Sequence, residues 1–228
     1  MTAEREAENR RRLKGAIFDA DGTLLSSMHI WEEVGARYLA RFGIEAEKDL
    51  YRILFPMTLE ESSVYMKERY GLPEPPEKIR AGFIDIIARF YREEVQLKEG
   101  AAAYLRTLRE KGIPAVIATT GDEELLRAAL ERLHVRECFS GILTCTGLQT
   151  SKHEQKIYLK AAEYMEIDIR EAAVFEDVLY AVKSAKNAGA YTVGVEDAAS
   201  AGDRKEIREL SDLYVRSFRD PALFRLFQ

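Results

Sequence analysis

Cysteine is scarce in this chain. Cys138 and Cys145 are the only two in 228 residues, too few for a disulfide scaffold, and their C-x6-C spacing matches no zinc pattern. Reduced, partly buried thiols are the expectation. Long apolar runs are missing as well: no stretch approaches the ~20 residues a membrane span needs, and residues 1–14 are charged with no apolar segment behind them to act as a secretion signal. A cytoplasmic protein with no membrane partner is expected. Nor is there an excess of positive charge, since 34 Lys and Arg face 39 Asp and Glu for a formal net charge of −5. Phosphate backbones are bound by basic surfaces, which argues against nucleic acid as the main partner. The basic cluster Arg10, Arg11, Arg12 and Lys14 reads as solvated charge beside a first strand.

What the chain does have is a 46% hydrophobic composition, enough to bury a substantial core as one large domain or as a core with an insertion. Its organising stretch is Gly15-Ala16-Ile17-Phe18-Asp19-Ala20-Asp21-Gly22-Thr23-Leu24-Leu25. An apolar run ending in two carboxylates, then Gly and Thr, describes a short buried strand that delivers charge at its carboxyl end. Open α/β sheets bind ligands there. Positions i and i+2 lie on one side of an extended chain, so both side chains can reach one substrate. Buried carboxylates call for a hard cation such as Mg²⁺, which makes Asp19 a ligand, a nucleophile or both. The competing reading is an ordinary acidic turn. A calcium-binding EF-hand loop fits worse, because Gly22 comes at the fourth position of the loop and not the sixth.

From 26 to 96 the periodicity is helical, with Trp31, Val34, Tyr38, Leu39 and Phe42, then Leu59, Ser63, Met66 and Tyr70, then Ile79, Phe83, Ile86, Ile87, Phe90 and Tyr91 at three- and four-residue steps. Gly43 closes the first helix, and Pro73, Pro75 and Pro76 mark the break before the last. Beyond this bundle, strands at 114–119, 141–144, 172–175, 191–195 and 213–215 alternate with helices at 122–133, 154–165, 178–188 and 204–210, and a short helix is expected in the tail at 219–228. The implied fold is α/β: a Rossmann-like core (1–25 and 97–228) with a mainly parallel sheet and helices on both faces, plus an inserted helical-bundle cap (26–96). The strand ends should bring Thr119, Thr120 and Gly121, Lys152, and Glu176 with Asp177 toward Asp19.

That ordered set, Asp19-x-Asp21-Gly22-Thr23, then Thr119, Lys152 and Glu176-Asp177, with a helical insert after the first motif, resembles the haloacid dehalogenase-like hydrolase superfamily, in its phosphatase and β-phosphoglucomutase-like branch. The resemblance runs from about Leu13 to Val215. It implies that Asp19 attacks phosphorus and carries an aspartyl-phosphate, and that Asp21 serves as general acid and then general base. Mg²⁺ would be held by Asp19, the Asp21 backbone carbonyl and Asp177, with Glu176 close by. Thr119 would hydrogen-bond the phosphoryl group, Thr120 and Gly121 would contact substrate, and Lys152 would offset the shared negative charge. Plainer readings stand beside these: Thr119 and Thr120 as a helix cap before Asp122, Lys156 as a rival to Lys152, and Glu176 as a residue that only orients its neighbours.

The chain departs from the family pattern at Ser26-Ser27, where an Asp-Ser pair is usual and where Ser is expected to cap the first bundle helix, and at His153, where Pro usually follows the motif lysine. The loop Phe55-Pro56-Met57-Thr58 is the expected specificity loop, and His29 or Trp31 the expected pocket residue, with Trp31 as bundle core the alternative. Hinges are expected near Leu25-Ser26 and Gln96-Lys98, with bundle closure as the gate. The activity implied is Mg²⁺-dependent hydrolysis of a small phosphate monoester, a sugar phosphate or similar metabolite, by a monomer or weak dimer. A β-phosphoglucomutase-like reaction is the alternative, disfavoured because no arginine stands in 56–59. A non-enzymatic phosphate or cation module is the third reading. Phe224 and Phe227 are candidates for an interaction patch.

Overall fold

The computed structural model describes residues 13–54 and 56–227; Arg10, Arg11, Arg12 and Phe55 lie outside them. The chain folds as two compact units, Met1–Ser26 with Gln96–Gln228, and Ser27–Val95.

The first unit is built on a six-stranded sheet in the order β3-β2-β1-β4-β5-β6, with β1 at Gly15–Phe18, β2 at Ala115–Thr119, β3 at Gly141–Thr144, β4 at Ala172–Glu176, β5 at Tyr191–Val195 and β6 at Leu213–Val215. Every neighbouring pair of these strands is parallel. The chain builds outward from β1 to β3, then returns to lay β4 on the other side of β1, so the connections diverge between β1 and β4. Crevices for ligands form at such a switch point.

Alternation along β1 sends neighbouring side chains to opposite faces. Ile17 joins Val116, Val174, Ile157, Tyr158 and Ala161 in one buried cluster. Phe18 faces the other way, stacked on Phe175 at 4.3 Å and edge-on to Tyr104 and Phe139. Helices therefore cover both faces.

The second unit holds α1 at His29–Ala40, α2 at Leu50–Leu54, α3 at Leu59–Tyr70 and α4 at Pro76–Arg89, the last running into a π-helical segment at Phe90–Glu94. Its boundaries follow from local chemistry. Thr58 and Glu61 form a reciprocal capping box at the start of α3, and Pro76 opens α4 at the position where a missing N–H costs nothing. In the first unit follow α5 at Ala101–Glu110, α6 at Glu123–Arg132, α7 at Cys145–Leu148, α8 at Lys156–Tyr164, α9 at Leu179–Ala188 and α10 at Arg204–Leu210.

Several expectations need correction. Helix α5 falls where the sequence reading assigns nothing, although Ala101, Tyr104, Leu105 and Leu108 all turn inward at helical spacing. The short α2 and the π-helical segment are also additional. Trp31 and Phe42 are exposed, at 41% and 36%; Ile30, with Val34, Tyr38 and Leu39, makes the inward face of α1, so Trp31 is not bundle core. Helix α1 ends at Ala40, and Gly43, left-handed at φ +69°, closes the turn that follows it, as expected; the capping position at its start is Met28, with no side-chain cap bond. Only a turn of 3-10 helix forms in the tail, at Leu223–Arg225. Phe224 lies edge-on to Tyr104 at 5.5 Å and Phe227 is 9% exposed, which overturns the interaction-patch reading.

One surface network has a readable pH dependence. Arg69, followed by Tyr65 and Tyr70, donates to the Glu47 carboxylate and holds it down to about 2 against a weaker opposing effect of burial. A carboxyl held below its unfolded value stabilises the fold above the ordinary carboxylate range, and that contribution is lost as pH falls toward the folded value. The melting-temperature gap between wild type and Glu47→Gln should therefore be constant above about pH 5 and close as pH falls toward 2. Thermal melts across that range check it, and a gap that widens on acidification contradicts it.

Candidate active site

Phe18 pairs with Phe175 across β1 and β4, so Asp19 and Glu176 leave the sheet side by side, on the face that also carries Ile17 and Val174. The Asp19 N–H donates to Phe175 O at 3.0 Å. The chain then turns back at once: the N–H groups of Leu24 and Leu25 both donate to Ala20 O, at 2.9 and 2.8 Å, and Gly22 N–H donates to Leu25 O at 3.0 Å. Gly22 adopts φ +83°, and a Cβ there would lie 2.4 Å from Asp177 Oδ2. Glycine is required on both counts. Gly22→Ala should cost roughly 1–2 kcal/mol in backbone strain alone and push Asp177 out of place. Melting curves would show it; an unchanged melting temperature in Gly22→Ala would contradict this account of Gly22.

Helix α8 packs on the Ile17 face of the sheet, and the loop before it inserts Lys152. Its ammonium donates to Asp19 Oδ1 and, at 2.7 Å, to Glu176 Oε1. All three are buried. Lys156 instead reaches Leu148 O at 2.7 Å from an exposed position, so it is Lys152 that meets Asp19. Tyr158 donates its hydroxyl to the same Glu176 Oε1 at 2.8 Å, while Glu176 Oε2 is buried with no hydrogen-bond partner among the described residues. Asp177 accepts from Thr23 Oγ1 at 2.9 Å, with Ser200 Oγ at 3.5 Å from its other oxygen.

Thr119, fully buried at the end of β2, accepts the Gly121 N–H on Oγ1 at 2.9 Å. A side chain at Gly121 would meet Asp21 Oδ2 at 3.1 Å and Thr119 Oγ1 at 3.3 Å, which places this loop beside Asp21. The capping of α6 falls to Asp122, whose side chain accepts from Leu125 N–H, so neither Thr119 nor Thr120 is the helix cap. Thr120 is exposed. His153 stacks on Tyr180 with ring centroids 4.2 Å apart. Within the helical unit, His29 sets its ring edge-on to Phe90 at 5.1 Å, and Trp31 lines a cavity.

The electrostatics describe a site short of positive charge. Burial, reinforced by Asp19, pushes both Glu176 and Asp177 well above the usual carboxylate range. Burial alone would discharge Lys152, but the Asp19 and Glu176 carboxylates outweigh it and keep the ammonium charged. Oxygens of Asp19, Glu176 and Asp177 lie within 4.8 Å of one another. Three buried carboxylates around one ammonium, with one carboxylate oxygen unpartnered, suit a hard divalent cation that takes oxygen ligands.

Sequence reasoning missed four contributors. Tyr158 and Ser200 carry no motif, and Thr23 is quoted without its role on Asp177. The fourth is a nearly buried ion pair at the end of β5, Lys98 with Asp197 at 2.8 Å, in which Lys98 also donates to Glu196 O at 2.5 Å. Lys98, Glu196 and Asp197 all lie outside every strand and helix, and their pairing depends on the sheet being folded.

A sheet that diverges at β1 and β4, with an Asp-x-Asp strand end facing a lysine and an acidic pair, defines a class of hydrolase. The haloacid dehalogenase-like hydrolase family model matches residues 16–195, and the chain belongs to that family. It is 24% identical over 182 residues to validoxylamine A 7'-phosphate phosphatase of Streptomyces hygroscopicus subsp. limoneus, covering 80% of this chain and 85% of that one. It is 27% identical over 198 residues to hexitol phosphatase A of Escherichia coli K12, covering 86% and 89%. Its fold is like that of a Thermotoga maritima protein provisionally described as a β-phosphoglucomutase, with a TM-score of 0.79 at 23% identity over 89% of this chain and 94% of that one. Among the described residues no helix is long and apolar enough to cross a membrane.

Proposed function

We propose that this chain is a Mg²⁺-dependent phosphatase that hydrolyses a small phosphate monoester through an aspartyl-phosphate on Asp19. The observation that carries this reading is the hold on Asp19: Lys152 occupies Oδ1, which leaves Oδ2 as the attacking atom. In the first step Asp19 Oδ2 bonds to phosphorus, the ester P–O bond breaks, and Asp21, as the acid, gives its proton to the departing alkoxide. In the second, Asp21 as carboxylate takes a proton from water, the water oxygen bonds to phosphorus, and the acyl-phosphate bond breaks to return Asp19. Thr119 and the Gly121 backbone position the phosphoryl oxygens, and Lys152 keeps Asp19 ionised. Thr23 and Ser200 orient Asp177, as Tyr158 orients Glu176. When bound by Asp19, Asp177, Glu176 and the Asp21 carbonyl, Mg²⁺ supplies charge neutralisation for the transferring group.

The Ser27–Val95 unit acts as a cap, with Trp31 and His29 as its candidate substrate contacts. Two buried, unbridged cysteines fit a cytoplasmic setting, and the working unit is a monomer or weak dimer. Relatives named as phosphatases favour hydrolysis over a mutase reaction. Phosphate release from a panel of monoesters, with Mg²⁺ and after chelation, tests the reading. Release should fall to background with chelator and return with Mg²⁺. Release that ignores chelation, or none from any ester, would contradict it.

A further inference from the structure

Lys98 stands where the chain re-enters the first unit after the helical insert, and it joins the two segments that grip Asp177. One side of the grip is Thr23, on Asp177 Oδ1 at 2.9 Å; the Lys98 N–H donates to the O of the next residue, Leu24, at 2.8 Å. That bond is flanked by Ser26 N–H to Gln96 O at 2.9 Å and by a bridge between Leu25 and Leu97. The other side is Ser200, whose hydroxyl lies 3.5 Å from Asp177 Oδ2. Ser200 is carried by a turn that starts at Asp197, and the Lys98 ammonium holds the base of that turn, on Asp197 Oδ2 at 2.8 Å and Glu196 O at 2.5 Å. The second Asp197 oxygen accepts the Ala199 N–H at 2.8 Å, so both carboxylate oxygens are committed.

The side chains of Lys98 and Asp197 are only 14% and 11% exposed. Apart from the pairs made by Lys152, no ion pair among the described residues is so enclosed. An enclosed pair gains little stability over apolar side chains of the same volume, which leaves geometry as what it can add. We propose that Lys98 is a positioning residue: through Asp197 and the turn to Ser200 it fixes the orientation in which Asp177 meets the cation. The proposal rests on the reading of Asp177 as a Mg²⁺ ligand. A role through charge alone would have the opposite sign. Behind burial and Asp19, Asp197 adds to the like charge felt at Asp177, so stripping away the Lys98 ammonium would then tighten cation binding.

Mn²⁺ takes oxygen ligands as Mg²⁺ does, and its paramagnetic resonance reads binding to the full chain with no substrate present. Lys98→Met should weaken that binding about fivefold, less than the roughly 10–100-fold expected for a partner of the ligand itself. Because Lys98→Met strands an enclosed carboxylate and can impair folding, Lys98→Met/Asp197→Asn, which keeps the net charge, is measured beside it. It should show at least the same loss with a native circular dichroism spectrum. Ser200→Ala should weaken binding by a similar factor, and adding Lys98→Met to it should change little more, since both act through one contact. Tighter binding in Lys98→Met, or full additivity with Ser200→Ala, overturns the positioning role. Wild-type protein that binds no Mn²⁺, or binds it undiminished after Asp177→Asn, overturns the metal reading and this inference with it. Binding that is lost in Asp177→Asn but unmoved in both Lys98 variants overturns this inference alone.

Discussion

Asp19→Asn should lower kcat by at least about 10³-fold while leaving the fold intact, because the amide keeps the shape of the carboxylate but cannot attack phosphorus. Asp19 is 5% exposed and its N–H is tied into the β1–β4 pairing, so the substitution changes no backbone contact. Lys152 keeps Glu176 as a partner at 2.7 Å. Circular dichroism and melting curves should match wild type to within a few degrees. Asp21→Asn should behave differently. It leaves the nucleophile in place and removes only the proton donor, so esters with good leaving groups, such as 4-nitrophenyl phosphate, should form the acyl-phosphate and then hydrolyse it slowly. Steady-state rates and the early burst of 4-nitrophenol separate the two variants. If Asp19→Asn retained activity near wild type, the covalent route would be wrong.

Lys152→Met should be the most destabilising single change in the site. It leaves Asp19, Glu176 and Asp177, all at least nine-tenths buried, without the ammonium that pairs with Asp19 and Glu176. Removing one partner of a buried ion pair costs about 3–5 kcal/mol, which for a chain of this size corresponds to a melting-temperature drop on the order of 10 °C. The sign of its pH dependence follows from Glu176, which burial already pushes upward. Without the ammonium, the folded state holds a proton there that the unfolded state releases, so stability falls as pH rises through the folded value. The deficit relative to wild type should thus be smallest near pH 5 and deepest near pH 9 in chelated protein. A deficit below about 2 °C at pH 9 would mean that Lys152 is not the counter-charge of this cluster.

The core of the fold was legible because its signals are local and strong. Buried parallel strands show as short apolar runs, and those of β1, β2 and β4 give way to polar residues where the sheet stops. Asp19, Thr119 and Glu176 are therefore found from strand ends alone. The helical segments were harder. Trp31 and Ile30 both satisfy a helical spacing, and only the packing of the folded unit decides that Ile30 is buried and Trp31 exposed. Helix α5 escaped notice although Ala101, Tyr104, Leu105 and Leu108 keep a regular period, because no proline or capping residue announces it. Tyr158 is the clearest limit. In sequence it is an aromatic on an amphipathic helix, and nothing local says that its hydroxyl reaches Glu176, which is brought beside it only by the crossover that returns the chain to β4.

The central claim is a phosphoryl group carried on Asp19, and trapping it is the most direct test. Wild-type protein mixed with Mg²⁺ and a ³²P-labelled monoester, then quenched in acid within milliseconds, should retain label on the chain. That label should be released by neutral hydroxylamine, as an acyl-phosphate is, and should be missing from Asp19→Asn. A fully active protein that never carries label, or an Asp19→Asn protein that carries it undiminished, would contradict the account.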